Sequence, residues 1–534
     1  MAIPTFTRKA TGLVRAFSAF DTLLLNLYAV NAAIVIAFAN MVMPVMYPGV
    51  HYGIGLIVAL AVTIVSGVMY AQLSAAMPRS GGDYVYLSHT LSPAIGFMAS
   101  GALVIGMFYW IGLVSSFVVQ SIGTTAVSLG LSSGNSGLVS WGAQATQPMN
   151  LFILSIITIV LAMIFITLGT RFLKVLFKIM LVLAIIGTCT TLAVFSLTSH
   201  AAFVANFNAQ MQPYTNLADT FTAIIAAAKE KGIAVVPTSV NVSLMALPFI
   251  QIQCLSLGFQ FSVYMGGEVK TPSKSQPIGI LGSLAVHTAL IYLGYVAFEN
   301  LVSKEFVISL ASMGGFQGLP FGTLYYLTYT YTSMATNNVI AIALIGIGFL
   351  VWQVMCLITG YMTGTRILFS WSFNRVVPES IAKVSNKFHS PWVATLIMGI
   401  GGMIFVYITA LTPFASYVLN YVIIFVIFFF IGGFAAIVFP WKKKDLFEAS
   451  PSMVKKRVAG IPLMSILGVV NTIFFAYMIY STMSNPFYYN ITPFVYVFTA
   501  SVYIIPLAIY LISKVIRKNQ GIDIDMLWKE IPPE

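Results

Sequence analysis

The chain has 534 residues, of which 59% are hydrophobic and only 7% charged, with a mean hydropathy of +0.93 and a formal net charge of +12. Soluble domains carry roughly 25% charged residues, so this chain could not cover its surface in water; disordered and collagenous chains are excluded as well. The basic excess does not point to nucleic acid, because the 26 Lys and Arg are spread over short loops between apolar runs.

A helical membrane span needs about 20 apolar residues. Hydropathy marks twelve such segments, near 22–43, 53–77, 93–121, 151–168, 175–198, 246–266, 278–302, 337–365, 392–411, 414–440, 461–482 and 492–513. The first lacks a small-residue cleavage site and leads straight into the second, so it reads as a span rather than a signal peptide. With the N-terminus inside, 23 of the basic residues fall on cytoplasmic segments, and only Lys229, Lys231 and Lys304 fall outside. That asymmetry follows the positive-inside rule and predicts twelve spans in the cell (plasma) membrane with both termini cytoplasmic.

Along the chain this gives a cytoplasmic N-terminus (1–21), spans 1–5 (22–198), an extracellular loop (199–245) and spans 6–10 (246–440). A basic cytoplasmic loop (441–460), spans 11 and 12 (461–513) and a polar, poorly packed tail (514–534) complete it. The outer segment 122–150 is uncharged and rich in Gly, Ser and Thr. Within 199–245, residues 217–231 read as a short surface helix, and 304–336 is rich in Gly, Tyr and Thr. Loops of this length tend to be lids or vestibule walls. Cys189, Cys254 and Cys356 lie inside apolar runs without CxxC spacing, which predicts small core residues, no metal site and no disulfide framework.

Three stretches carry a motif. They are AQLSAAMPRSGGDYVYLSHTLSPAIGFMASG (71–101), GFQFSVYMGGEVKTPSKSQPIGI (258–280) and TRILFSWSFNRVVPESIAKVSNKFHSPWVA (365–394). Each resembles the corresponding stretch of the amino acid–polyamine–organocation (APC) superfamily permeases, at the expected place in a twelve-span layout. The resemblance implies an all-α, LeuT-like fold of two five-span inverted repeats, 1–5 and 6–10, plus two C-terminal spans. Spans 1 and 6 would be broken near the midplane, where exposed backbone groups hold a substrate.

Polar groups at membrane depth are costly unless they are paired or line a cavity. Span 6 carries Gln251, Gln253, Ser256 and Gln260 around Gly258, a residue that tolerates the backbone angles of a break. An unwound stretch over 255–260 would turn its N–H groups to a carboxylate, with Phe259 as an aromatic gate; the alternative is close helix packing by a small residue. Span 1 has Val30, Asn31, Ala32 and Ala33 where the family has a Gly-rich break. Tyr28, Val30, Asn31, Ala32 and Ala33 are candidate substrate-binding residues, with side-chain contacts from Asn31 and Tyr28 and interhelical bonding as the alternative for Asn31. On span 3, Met107, Phe108, Tyr109 and Trp110 offer a pocket wall, of which Tyr109 is taken as the substrate contact.

For ion coupling, Thr359 and Thr363 share one face of span 8, where sodium-coupled relatives hold an ion; self-bonding to the helix is the alternative. His287, in the middle of span 7, is a candidate proton carrier or a satisfied neutral donor. Span 5 lacks the intramembrane lysine that some relatives use, and Lys178 reads as snorkelling. For gating, Glu268 is expected to pair with a cytoplasmic basic residue, Asp21 to cap span 1 or join an ion pair, and Gly81 and Gly82 to form a turn under the bundle. No nucleophilic triad, HExxH or phosphate loop is present in the sequence.

The expectation is therefore a secondary transporter, not an enzyme, that takes no cofactor and no metal. It would move an amino acid or related small amine by alternating access, driven by H+, Na+ or exchange. Its partners would be that substrate, the coupling ion and the lipid bilayer, with no nucleic acid; the sequence leaves oligomeric state open. A substrate sensor of the same fold, and less well a channel, are the competing readings.

Overall fold

The structure is a computed structural model that describes residues 15–233, 235–321, 327–385, 387–388, 390–412, 421–484 and 493–524. Among these, eleven helices are long and apolar enough to cross a membrane. Spans 1–5 are Ala19–Met46, Tyr52–Ala76, Pro93–Ser133, Pro148–Thr167 and Gly169–Leu197. Spans 7–12 are Pro272–Leu301, Val339–Phe373, Trp392–Leu411, Ile423–Lys442, Leu463–Ser484 and Val495–Asn519. The twelfth, span 6, holds a shorter apolar helix, Leu247–Ser256, because it is interrupted. Among the described residues, spans 1 and 6, the first of each set of five, are the two that break.

Burial separates centre from rim. Spans 1 and 3 are almost wholly enclosed, whereas spans 4, 5 and 12 turn rows of Ile, Val and Leu outward, including Ile153, Ile157, Leu161, Ile185 and Ile505. Lipid tails solvate such faces, so association inside the bundle relies on close packing of small residues. Gly187 of span 5 meets Gly348 of span 8 so closely that a Cβ on either would lie 2.5–2.6 Å from the other's Cα. Spans 8 and 3, 1 and 7, and 10 and 11 make the most extensive pairings.

Three regions depart from the sequence reading. Residues 122–133 continue span 3 as helix, and Ser136–Ala145 forms a second helix folded against it. Low helix propensity suggested a loop there, but the same small residues permit the packing: Gly123 and Gly142 approach backbone to backbone. The long loop before span 6 holds the short helix expected over 217–231, as Thr220–Glu230, but a second helix, His200–Thr215, precedes it. Its aromatic residues make a cap, in which Phe221 stacks on Phe306 at 4.2 Å between centroids. Finally, the last helix runs on to Asn519, and Arg517 Nε donates to Arg375 O at 2.8 Å. The tail is thus fastened to the linker between spans 8 and 9 at least that far, rather than loose from residue 514.

Candidate substrate site and gates

Span 1 breaks at one residue. Its first helix, Ala19–Val30, ends at Asn31, which takes the left-handed conformation (φ 60°, ψ 80°), and helix resumes at Ala32. Left-handed backbone is unfavourable for most L-residues but tolerated by Asn. The Asn31 side chain then serves both flanks. Oδ1 accepts from Ile34 N at 3.3 Å and so caps the second half-helix, while Nδ2 donates to Gln353 Oε1 of span 8 at 2.6 Å. At the end of the first half-helix Ala29 O accepts from Cys356 Sγ at 3.4 Å, and in the first turn of the second Ala33 O accepts from Tyr329 Oη at 3.1 Å.

Span 6 is remodelled over a longer stretch. Residues Ile250–Ser256 are a π-helix, Leu257 is extended, Gly258 has φ +105°, and Phe261–Tyr264 and Gly266–Glu268 are 3-10 turns. The polar residues of the sequence reading serve this geometry. Gln251 Nε2 donates to Thr63 Oγ1 of span 2 and to Ser256 Oγ, both at 2.7 Å. Ser262 N donates to Asn26 Oδ1 of span 1 at 2.8 Å, and Ser262 also exchanges hydrogen bonds with Gln276 of span 7. The side chain of Gln253 lies outside the described residues.

The two breaks touch. A Cβ on Gly258 would lie 2.5 Å from Ala29 Cβ and 2.6 Å from Ala29 C, so only glycine fits. Among the described residues, no hydrogen bond engages the N–H groups of Ala32, Ala33, Gly258, Phe259 or Gln260. Gln260 is buried, and its Oε1 makes no hydrogen bond to a described residue. Unsatisfied donors at the start of a half-helix carry its positive dipole end, and such a cluster suits an anion or the carboxylate of a zwitterion.

A family model described as amino acid permease matches residues 12–511. The chain belongs to this family, and so to the APC superfamily. The permease is also 25% identical, over 388 residues, to the branched-chain amino acid permease BcaP of Bacillus subtilis (strain 168), a match that covers 72% of this chain and 73% of that protein. The family moves amino acids across membranes and its members are not enzymes, which fixes the broad class of the permease.

The remaining candidates fall into three groups. Tyr28 is buried beside the span 1 break, but its hydroxyl donates to Phe177 O of span 5 at 2.8 Å. Tyr109 packs edge-on against Phe405 of span 9. Its neighbour Trp110 instead lies against Gly360 and the Cys356 thiol of span 8. Phe259 sits between Tyr70 of span 2 and Phe429 of span 10.

Among the coupling candidates, Thr359 and Thr363 donate to Cys356 O and Thr359 O of their own helix, and donation leaves each oxygen's lone pairs. The His287 Nε2–H donates to Cys254 O at 2.8 Å and so ties span 7 to the π-helix of span 6.

The gating candidates all lie on the face of the bundle that carries most of the basic residues. Glu268 Oε1 pairs with Arg366 Nε at 2.9 Å, its Oε2 accepts from Thr170 Oγ1, and both charged side chains are buried. Asp21 meets both of its expectations: it completes a capping box with Ser18 and pairs with Lys174 at 3.2 Å. The Gly81–Gly82 turn is clamped between spans 8 and 6. A Cβ on Gly81 would strike Ser370, one on Gly82 would strike the Tyr264 ring, and Gly81 N donates to Tyr264 O at 3.0 Å.

Sequence reasoning passed over Gln353, Cys356 and Tyr329, which meet span 1 at its break. Gln353 gave a usable signal, being a lone amide in an apolar span. Tyr329 gave none, because it reaches the break from a short helix, Leu327–Thr330, that lies between spans 7 and 8.

Proposed function

We propose that the chain is a secondary transporter of a neutral amino acid or closely related amine, working by alternating access about the broken spans 1 and 6. The observation that carries this reading is the cluster of N–H groups of Ala32, Ala33, Gly258, Phe259 and Gln260, unengaged among the described residues, where the two breaks meet around Ala29 and Gly258. Such donors recognise a carboxylate by geometry and dipole. Asn31, Ser256, Gln260 and Gln353 around the breaks are all neutral, and the buried Gln260 Oε1 is an acceptor suited to an ammonium. A zwitterion of net charge zero satisfies that set, whereas a cationic side chain would meet no counter-charge. The branched-chain permease relative agrees with a neutral substrate.

In this reading the basic face is cytoplasmic, as its charge excess favours. The Glu268–Arg366 and Asp21–Lys174 pairs hold the inner gate shut, and spans 1, 2, 6 and 7 rock against 3, 4, 8 and 9. Thr359 and Thr363 spend their hydroxyl protons on their own helix, and His287 holds span 6 through its Nε2–H. The driving force is a proton gradient, a sodium gradient or exchange, with His287 serving the first and the threonine pair the second.

The test is uptake into proteoliposomes of a panel of labelled neutral, acidic and basic amino acids and amines. Each is run with a proton gradient, a sodium gradient or unlabelled internal substrate. Saturable uptake of neutral amino acids is expected. Binding without flux under every condition would replace the transporter by a sensor of the same fold.

A further inference from the structure

The short helix Asp83–Thr90 between spans 2 and 3 begins with an acid that the substrate site and its ion pairs do not use. Asp83 is 1% exposed, and among the described residues no cation forms an ion pair with it. Its neighbours are phenols. Tyr264 Oη, just beyond the span 6 break, donates to Oδ2 at 2.5 Å. Tyr70 of span 2 and Tyr86 of the same short helix complete the group. The Tyr70 hydroxyl lies within reach of the carboxylate, yet Oδ1 has no well-formed hydrogen bond.

The other packed elements add no free charge. Span 10 presents Gly432 there, and the adjoining first turns of span 3 hold no titratable side chain. Arg366 of span 8 is held by Glu268, His89 Nδ1 bonds Val85 O, and Lys442 Nζ donates to Leu91 O. Arg79, earlier in the turn, packs its backbone on Gly266. Burial pushes the Asp83 carboxyl up to about 7, and the hydrogen bonds from Tyr264 and Tyr70 pull it only part of the way back.

This acid sits where the gate must part. Gly81 N donates to Tyr264 O, Ser80 bridges to Met265, and Tyr70 meets Phe259 edge-on at 6.1 Å. The turn and the segment 259–268 therefore separate only if the Asp83–Tyr264 contact breaks. We propose that Asp83 is a proton-binding site that latches this gate, neutral and bonded to Tyr264 while the turn is docked, ionised and hydrated once it opens.

A buried carboxylate with no cation is costly, so deprotonation weakens the docked form. Each opening then releases one proton to the solution on the basic face, and each closing takes one back. By linkage, acid favours the closed gate and alkali the open one. The inference rests on the alternating-access reading.

The test is hydrogen–deuterium exchange of the full chain in nanodiscs, from about pH 5.5 to 8.5 and corrected for intrinsic rates, followed at residues 80–86 and 259–268. Protection is expected to fall with a midpoint near neutrality in the wild type, and to stay high and flat in Asp83→Asn. Tyr264→Phe removes a donor to the carboxylate, which favours the neutral acid, so its midpoint moves up by about one pH unit. A purely structural contact would lower protection at every pH and leave the midpoint in place.

The inference falls if the wild type shows no transition, if Asp83→Asn keeps it, or if Tyr264→Phe leaves the midpoint unmoved. Should Asp83→Asn not fold, the Tyr264→Phe shift decides. Failure of the transport reading is a separate result, namely no uptake of any substrate while the exchange transition persists.

Discussion

Spans 1 and 6 break at facing positions by opposite means. Span 1 loses a single residue of helix, and a side chain holds the break: Asn31 takes the left-handed backbone, caps Ile34 and bonds to Gln353. Span 6 gives up regular helix from Ile250 to Glu268, and at its centre the lack of a side chain is what matters. A break held by hydrogen bonds can loosen in steps as partners change. A break held by backbone contact, Gly258 on Ala29, is a fixed fulcrum. In the proposed alternating-access reading, span 6 would be a hinge whose place is set sterically, and span 1 an arm tied to span 8 through Gln353.

The largest effect should come from attacking the fulcrum. Gly258→Leu forces Cβ to within 3 Å of Ala29 backbone and imposes an L-residue at φ +105°. Uptake is expected to fall at least about 100-fold, a barrier change of roughly 3 kcal/mol, with normal membrane insertion. Retained uptake would move the pocket elsewhere.

A smaller effect is expected where the remodelled end of span 6 is anchored. Glu268→Gln leaves the Arg366 guanidinium buried without its counter-charge, and orphaning one partner of a buried pair costs about 3–5 kcal/mol. Thermal unfolding in detergent should show this as a clear loss of stability. Adding Arg366→Met removes the stranded charge and should recover much of it. If the double variant is no more stable than Glu268→Gln, the pair does not carry the lock, and the end of span 6 is held by Thr170 and the Ala16–Phe17 backbone instead.

The fold was legible because lipid imposes its rules on composition. Apolar runs and the basic asymmetry marked twelve spans, and the polar run Gln251–Gln260 around a glycine marked the interruption of span 6. The span 1 break was harder to read, because the resemblance directs attention to glycine and the observed solution is an asparagine between Val30 and Ala32. Gln353, a lone amide in an apolar span, and Cys356, read only as a core residue, were not assigned to the span 1 break, since which face of a buried helix meets a given neighbour depends on residues far off in sequence. The extension of span 3 past residue 121 escaped for a related reason. Gly123 and Gly142 look like loop formers alone, and only their mutual approach makes them helix-packing residues. Asp83 stood in a quoted motif, but its lack of a cation is a property of the assembled bundle.

The finest test compares two replacements of Asn31. Asn31→Ala places an ordinary L-residue in left-handed backbone, at a cost of roughly 1–2 kcal/mol, and removes a cap worth about 1 kcal/mol. It also leaves Gln353 Oε1 without its donor. Asn31→Gly removes the same bonds without the backbone penalty, and a glycine at an N-cap costs only a few tenths of a kcal/mol. The expected order of uptake is wild type, then Asn31→Gly, then Asn31→Ala, the two variants differing by about tenfold, with both above Gly258→Leu. Equal losses would mean that the bond to Gln353, not the left-handed turn, holds the span 1 arm. Wild-type uptake in Asn31→Gly would mean the reverse, that a glycine break serves as well and the side-chain tie to the scaffold is dispensable. Either result would erase half of the contrast between the two spans, and only the graded order preserves it.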